Sequence, residues 1–296
     1  MDMKTEFATI AADIAVASGQ PFKPDDARRI SGGSIHQAWL LADGRQRYFV
    51  KINAAVTLPM FEAERLGLAA LRASGAVRVP DVAVAGLVGH RAFLALEAFE
   101  LCGLDWASGA ALGHGLAALH RTSAQRFGWQ ADNFIGSMPQ HNAWTPSWPR
   151  FWAEQRLLPQ LRWAAERGLD QRLLTQGQRL AENVEAFFVT GQPQPSLLHG
   201  DLWSGNASAL ADATPVIYDP AAYFGDREAD LAMTELFGGF PASFYAAYRE
   251  AWPLPPEYET RKTLYNLYHV LNHFNLFGAG YLGQAQRMIE RLTAVL

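Results

Sequence analysis

An aspartate five positions before an asparagine, with a second aspartate on what reads as the next strand, is the chemically richest pattern in this chain. His199-Gly200-Asp201-Leu202-Trp203-Ser204-Gly205-Asn206 supplies the pair, and Tyr218-Asp219-Pro220 supplies the third group. Phosphoryl transfer needs such a set: a carboxylate to orient the attacking hydroxyl, then an amide oxygen and another carboxylate to hold a divalent cation on phosphates. Asp201 is the expected base. It takes its proton late, so an ordinary carboxylate pKa suffices. Asn206 and Asp219 are hard oxygen ligands, suited to Mg²⁺ and not to a transition metal. His199 is expected to pack within the loop and hold its backbone. Asp230 is expected to brace that loop from behind, and Asp226 and Glu228 to cap a helix and match its dipole.

The Asp-x-x-x-x-Asn spacing is that of kinase catalytic loops. The upstream residues complete the pattern. Gly32-Gly33-Ser34 before a strand suits a turn that lets backbone amides approach phosphates. Lys51 sits inside the apolar strand Tyr48-Phe49-Val50-Lys51-Ile52, where a lysine needs a task. A kinase strand lysine contacts the α and β phosphates and pairs with a helix glutamate. Of Glu62 and Glu64 on the following helix, Glu64 shares the face of Phe61, Leu68 and Leu71 and is the inward one.

The elements that must hold these residues read as follows. An amphipathic helix carries Phe7, Ile10 and Ile14 on one stripe and stops at Ser18-Gly19. Ile30–Ser34 leads into a strand over Ala38–Leu41, which turns at Asp43-Gly44 into the strand Tyr48–Ile52. A helix spans Pro59 to Ser74 and closes at Gly75. Strands are expected over Val77–Val88 and Ala92–Glu97. Beyond a hinge at Glu97–Leu101 the chain turns helical, from Ala107 to His120 and from Trp148 to Phe188. A two-strand insert at Ser196–Asp219 interrupts it, and helices resume from Asp226. The expectation is an α+β, bilobal fold: a small β-rich lobe over residues 1–97, covering the nucleotide, and a larger, mostly helical catalytic and acceptor-binding lobe over 98–296.

Composition excludes several classes. With 296 residues, 49% hydrophobic and 18% charged, the chain has the makeup of a folded protein with two lobes of ordinary size. A net charge of −4 gives no nucleic-acid footprint. The single cysteine, Cys102, rules out an internal disulfide framework and fits a reducing compartment. No apolar run reaches the length of a membrane span, and Glu6 and Asp13 interrupt any signal-peptide core. The chain is expected to be cytoplasmic, with no nucleic-acid or membrane partner.

Taken with its flanking motifs, His199–Asn206 resembles the His-Gly-Asp-Leu-Trp-x-Gly-Asn signature of the fructosamine kinase (ketosamine 3-kinase) family, similar in fold to aminoglycoside phosphotransferases and protein kinases. The resemblance covers nearly the whole chain. It includes Phe61–Glu64, Leu119-His120, Phe127–Trp129 with Asp132–Gly136, and Gln140–Trp144. It continues through Trp148–Phe151, Arg156-Leu157, Tyr218–Ala221, Gly225–Met233 and Leu271–Gly278. It implies ATP-dependent, Mg²⁺-dependent phosphorylation of a ketosamine at the sugar 3-hydroxyl, the substrate being a sugar adduct of a lysine amine, free or on a protein. Phosphorylation there makes the adduct unstable and regenerates the amine, a protein-repair deglycation; bacterial-looking relatives lean toward ribulosamines. The resemblance further implies Asp201 as base, Asn206 and Asp219 on metal, and Lys51 and Glu64 on phosphates. It places the backbone of Glu97, Ala98 and Phe99 on adenine, and Trp203 and His273 beside the acceptor. One departure is Ser34, which stands where several members carry a cysteine tied to redox control through a disulfide between subunits.

Two rival readings stand beside this one. A related phosphotransferase for an aminoglycoside or a choline-like acceptor would share the loop skeleton, and the tryptophans near 129–152 could imitate an aromatic cage. An inactive kinase-like binding module would lack the lysine, the base or a metal ligand, and all are present here.

Overall fold

A computed structural model describes residues 2–31 and 35–296. Helix α1 (Met3–Ser18) starts where Asp2 accepts the Thr5 N–H at 2.8 Å and stops at Gly19 in the left-handed region. A five-stranded antiparallel sheet follows, built from β1 (Asp26–Ile30), β2 (Gln37–Ala42), β3 (Arg47–Ala54), β4 (Val82–Val88) and β5 (Arg91–Glu97), in the order β1-β2-β3-β5-β4. Helix α2 (Leu58–Ala73) links β3 to β4 and has Pro59 in its first turn, where a missing N–H costs nothing.

The two faces of the sheet have different partners. Alternation along β3 sends Val50 and Ile52 to one side, where they pack with Ile10, Ile14, Phe22 and Phe93 under α1. Lys51 goes to the other side, toward α2. There Phe61, Leu68 and Leu71 belong to a larger apolar cluster that runs on into residues 112–292, crossing position 97.

The chain beyond the sheet is mostly helical: α3 (Trp106–His120), α4 (Trp148–Phe151), α5 (Leu158–Glu166), α6 (Gln171–Glu182), α7 (Glu228–Leu236), α8 (Ala242–Ala251), α9 (Tyr258–Phe277) and α10 (Leu282–Thr293). Three short antiparallel pairs are set among them. β6 (Asn133–Ile135) meets β7 (Met138–Gln140), β9 (Ala207–Ala209) meets β10 (Pro215–Ile217), and β8 (Ser196–Leu198) meets β11 (Tyr223–Gly225). The α+β reading therefore holds, with a sheet-rich front and a helical back. Among the described residues no helix is long and apolar enough to cross a membrane.

Several element boundaries differ from expectation for identifiable reasons. β1 lies outside the expected strands apart from Ile30, the first residue of the lead-in, because four of its five residues are exposed and show no alternation. The strand expected over Val77–Val88 begins only at Val82, since Pro80 has no N–H to give a ladder. The helical stretch expected over Trp148–Phe188 is broken by a π-helical turn at Trp152–Leu157, just ahead of Pro159, and again at Gly168, with φ of 87°. The insert at Ser196–Asp219 holds three short strands, and a fourth, β11, lies beyond it.

Candidate active site

Lys51 is 6% exposed, and its Nζ meets three carboxylate oxygens: Glu64 Oε1 and Oε2, each at 2.8 Å, and Asp219 Oδ1 at 2.7 Å. Glu64 lies inward, as helix periodicity predicts, while Glu62 pairs outward with Arg65. Burial works against the Lys51 charge, but the Asp219 and Glu64 carboxylates more than offset it, and the amine stays protonated. Helix α2 comes close enough for this because of Gly67, where a Cβ would stand 3.1 Å from the Pro220 ring. Asp219, next in chain to that proline, adopts φ of 60°, a conformation an aspartate tolerates better than most residues do.

The loop His199–Asn206 lies against this cluster. Gly200 has φ of 82°, and a Cβ there would stand 2.1 Å from the Ala221 carbonyl oxygen, so only glycine fits. Asn206 Nδ2 donates to the Asp201 carbonyl at 2.9 Å and to Asp201 Oδ2 at 3.3 Å, which turns its Oδ1 away from that aspartate. Burial, then the Asp219 and Asp230 charges, push the Asp201 carboxyl up to about 7, well above the ordinary value expected from sequence.

His199 does hold the backbone. Its Nε2–H donates to the Tyr218 carbonyl at 2.9 Å, and Nδ1 accepts the Asp201 N–H at 3.3 Å, so one neutral ring ties the Asp201 loop to the segment bearing Asp219. Burial lowers its pKa and keeps it neutral. Asp230, on α7, accepts the N–H groups of His199 at 2.7 Å and Gly200 at 2.8 Å, bracing the loop as expected. Behind it stands a relay that the sequence did not reveal. Arg227 donates to the Tyr248 hydroxyl at 3.1 Å, that hydroxyl to His120 Nδ1 at 2.8 Å, and His120 Nε2 to Asp230 Oδ2 at 3.2 Å.

Asp226 and Glu228 depart from the expectation of simple capping. Asp226 Oδ1 does accept the Glu228 N–H at 3.0 Å, but both side chains are buried. Glu228 pairs bidentately with Arg261 at 2.7 and 2.8 Å, and Asp226 accepts the Tyr265 hydroxyl. Burial, then the Glu228 charge, push Asp226 up to about 7. They stitch α7 to α9.

At the segment expected to receive adenine, the Glu97 carboxylate is held by Arg78 through both oxygens, and Arg78 lies over the Phe99 ring at 5.1 Å. The Glu97 N–H is engaged with the Asp81 carbonyl at 2.7 Å, while Ala98 and Phe99 are partly open. The expected phosphate-covering turn Gly32-Gly33-Ser34 lies outside the described residues.

Two residues after Asp201, Trp203 is 40% exposed and meets Phe237 edge-on at 6.4 Å. Phe237 packs on His273 at 5.0 Å, and His273 on Phe277 at 5.6 Å and Tyr281 at 5.0 Å. His273 Nδ1–H donates to the His269 carbonyl at 2.8 Å. Trp203 and His273, 70 residues apart in sequence, thus belong to one aromatic shelf. Phe237, Phe277 and Tyr281 were missed, because a shelf assembled from a loop and a distant helix has no local pattern.

Among the described residues no three His, Cys, Asp or Glu side chains gather as a metal cage. Asn206 and Asp219 still fit Mg²⁺, which keeps waters and takes phosphate oxygens beside one or two protein ligands. The charge balance points the same way, since Lys51 meets two carboxylates, Glu64 and Asp219, with one positive charge, and the Asp219 charge also pushes up the Asp201 carboxyl.

A lysine–glutamate pair under a twisted sheet, facing an aspartate-asparagine loop and a further aspartate, defines a phosphotransferase of the kinase class with the bilobal fold. The model of the family described as "Fructosamine kinase" matches residues 6–295. The "probable ketoamine kinase" of Synechocystis sp. is 48% identical over 97% of both chains, and the chloroplastic protein-ribulosamine 3-kinase of Oryza sativa subsp. indica is 40% identical over 95% of this chain and 82% of its own. The crystal structure of a "putative fructosamine-3-kinase" from Haemophilus somnus superposes with a TM-score of 0.89 at 31% identity, covering 96% of each chain. The chain belongs to the fructosamine kinase family.

Proposed function

We propose that this protein transfers the γ-phosphoryl group of ATP to the sugar 3-hydroxyl of a ketosamine, a ribulosamine or fructosamine adduct of a lysine amine. The observation that carries the reading is the meeting of Lys51, Glu64 and Asp219 beside the Asp201–Asn206 loop, in a chain of this family. Family relatives named for ketoamine and ribulosamine phosphorylation support the choice of acceptor.

In this reading residues 1–97 cover the nucleotide and 98–296 bind the acceptor. The backbone of Glu97, Ala98 and Phe99 receives adenine, Gly32, Gly33 and Ser34 cover the phosphates, and Lys51, steadied by Glu64, binds phosphate oxygens. Asn206 and Asp219 would hold Mg²⁺, which supplies positive charge to the phosphates and relieves the crowding of carboxylates. Asp201 accepts a hydrogen bond from the acceptor hydroxyl and aims it in line; as the new O–P bond forms and the bond to ADP breaks, the hydroxyl proton passes to Asp201. His199 and Asp230 fix the loop that carries this carboxylate. Trp203 and His273 offer an apolar wall to the sugar face or the lysine stem. Loss of the phosphorylated sugar afterwards would free the amine.

The test is Mg²⁺-dependent ATP consumption on four acceptors: ribulose-lysine, fructose-lysine, an aminoglycoside and choline. Turnover on a ketosamine is expected, and which of the two is faster identifies the sugar. Turnover on the aminoglycoside or choline alone would replace this reading with that of a related phosphotransferase. No turnover on any, with ATP still bound, would favour a binding module.

A further inference from the structure

The proposed mechanism leaves unused a histidine that stands beside its lysine. His36 immediately precedes β2, whose register places Ala38 opposite Lys51 and Gln37 opposite Ile52. The next position brings His36 to Asn53, which shares the Lys51 face of β3. The ring rests on Phe61 at 4.8 Å between centroids, one helical turn before Glu64.

The hydrogen bonds around Asn53 fix the state of this ring. Asn53 Oδ1 accepts the Ala54 N–H at 2.8 Å, and its Nδ2 faces the Ile35 carbonyl at 3.0 Å. Both contacts orient the amide the same way, so Nδ2 is also the donor in its 2.9 Å contact with His36 Nδ1. An imidazole nitrogen that accepts a hydrogen bond carries no proton, so the ring proton lies on Nε2. Burial, and then the Lys51 charge, lower the His36 pKa to about 4, which keeps the imidazole neutral at physiological pH. Among the described residues Nε2 has no hydrogen-bond partner.

We propose that the His36 Nε2–H donates a hydrogen bond to a phosphate oxygen of the bound nucleotide, beside the Lys51 ammonium. A neutral donor suits the place. It adds directional binding to an anion without a second positive charge pressed against Lys51. Asn53 is then a positioning residue, holding the ring by the nitrogen that does not face the ligand. The inference rests on the nucleotide-binding reading above.

The experiment is a set of calorimetric titrations of Mg²⁺-ATP and of adenosine into wild type, His36→Ala, His36→Gln and His36→Asn, with melting curves to establish folding. Glutamine places its N–H₂ near the Nε2 position, whereas asparagine reaches only the Nδ1 position. His36→Ala is expected to weaken ATP binding about tenfold or more, as for a lost hydrogen bond to a charged group, and to leave adenosine binding unchanged. His36→Gln should recover most of the loss and His36→Asn little. Unchanged ATP affinity in His36→Ala would overturn the inference. So would an equal loss for adenosine, or a recovery by asparagine matching that by glutamine; either would make His36 a prop for the strand. Wild type that binds no ATP would sink the nucleotide reading itself, and this inference with it.

Discussion

Gly200 hands its N–H to Asp230 Oδ1 at 2.8 Å, although the two residues are thirty positions apart. The same carboxylate takes the N–H of His199 at 2.7 Å, so one buried charge on α7 sets the backbone of the loop that carries Asp201. Burial works against that charge. Bonds from His120 and Gly200 and the nearby His120 and His199 rings nevertheless hold the carboxyl below its ordinary value.

Asp230→Asn should therefore destabilise the fold by about 2–4 kcal/mol at pH 7, since an amide cannot accept all three bonds. A carboxyl whose folded pKa lies below its unfolded value of 3.8 stabilises above that value, and the effect fades as pH falls through the folded pKa. The gap between wild type and Asp230→Asn should then hold steady above about pH 4 and shrink as pH falls below it. Urea unfolding at several pH values measures it, and a gap that stays constant would remove the charge from the explanation.

Asp201→Asn should lower kcat by about 10²–10⁴-fold while leaving Mg²⁺-ATP affinity within a few-fold, because the base acts on the acceptor. The Asn206 amide keeps an oxygen to donate to in this variant. Nucleotide affinity lost in a protein that still melts cooperatively would contradict the assignment.

Asp219→Ala should weaken Mg²⁺-nucleotide binding as well as rate, and raise the Mg²⁺ concentration needed for half-maximal turnover. It also leaves Lys51 with Glu64 as its remaining carboxylate among the contacts described. Kinetics across a Mg²⁺ series decide this, and unchanged metal dependence would take Asp219 out of the site.

Much of this site was legible before any fold was known, for reasons specific to each residue. Asp201 and Asn206 share a local spacing, Lys51 interrupts an apolar strand, and helical periodicity separates Glu64 from Glu62. The buried role of Glu228 depends on Arg261, 33 residues away on another helix, and no local pattern announces it. His36 escaped for a related reason: its tautomer is set by Asn53 across the hairpin, and its neighbour Phe61 comes from the next helix. Strand β1 and the short β6–β7 pair escaped because polar edges and three-residue strands carry too few alternations to read.

The aromatic shelf yields the last prediction. Trp203 and Phe237 are each about two-fifths exposed, and they stand two residues from Asp201 and at the end of α7. Their neighbour His273 is kept neutral, burial outweighing its bond to the His269 carbonyl, so the shelf would present an uncharged face. A sugar or a lysine stem laid on it would gain about 1–2 kcal/mol from an indole face. Trp203→Ala should then raise the KM for a ketosamine about tenfold with the KM for ATP unchanged, and Phe237→Ala should do so more weakly. Initial rates at saturating ATP measure the first, and rates at saturating acceptor the second. A Trp203→Ala protein whose losses fall equally on ATP and acceptor would instead assign the indole to packing over Gly205, where a Cβ would already collide with it.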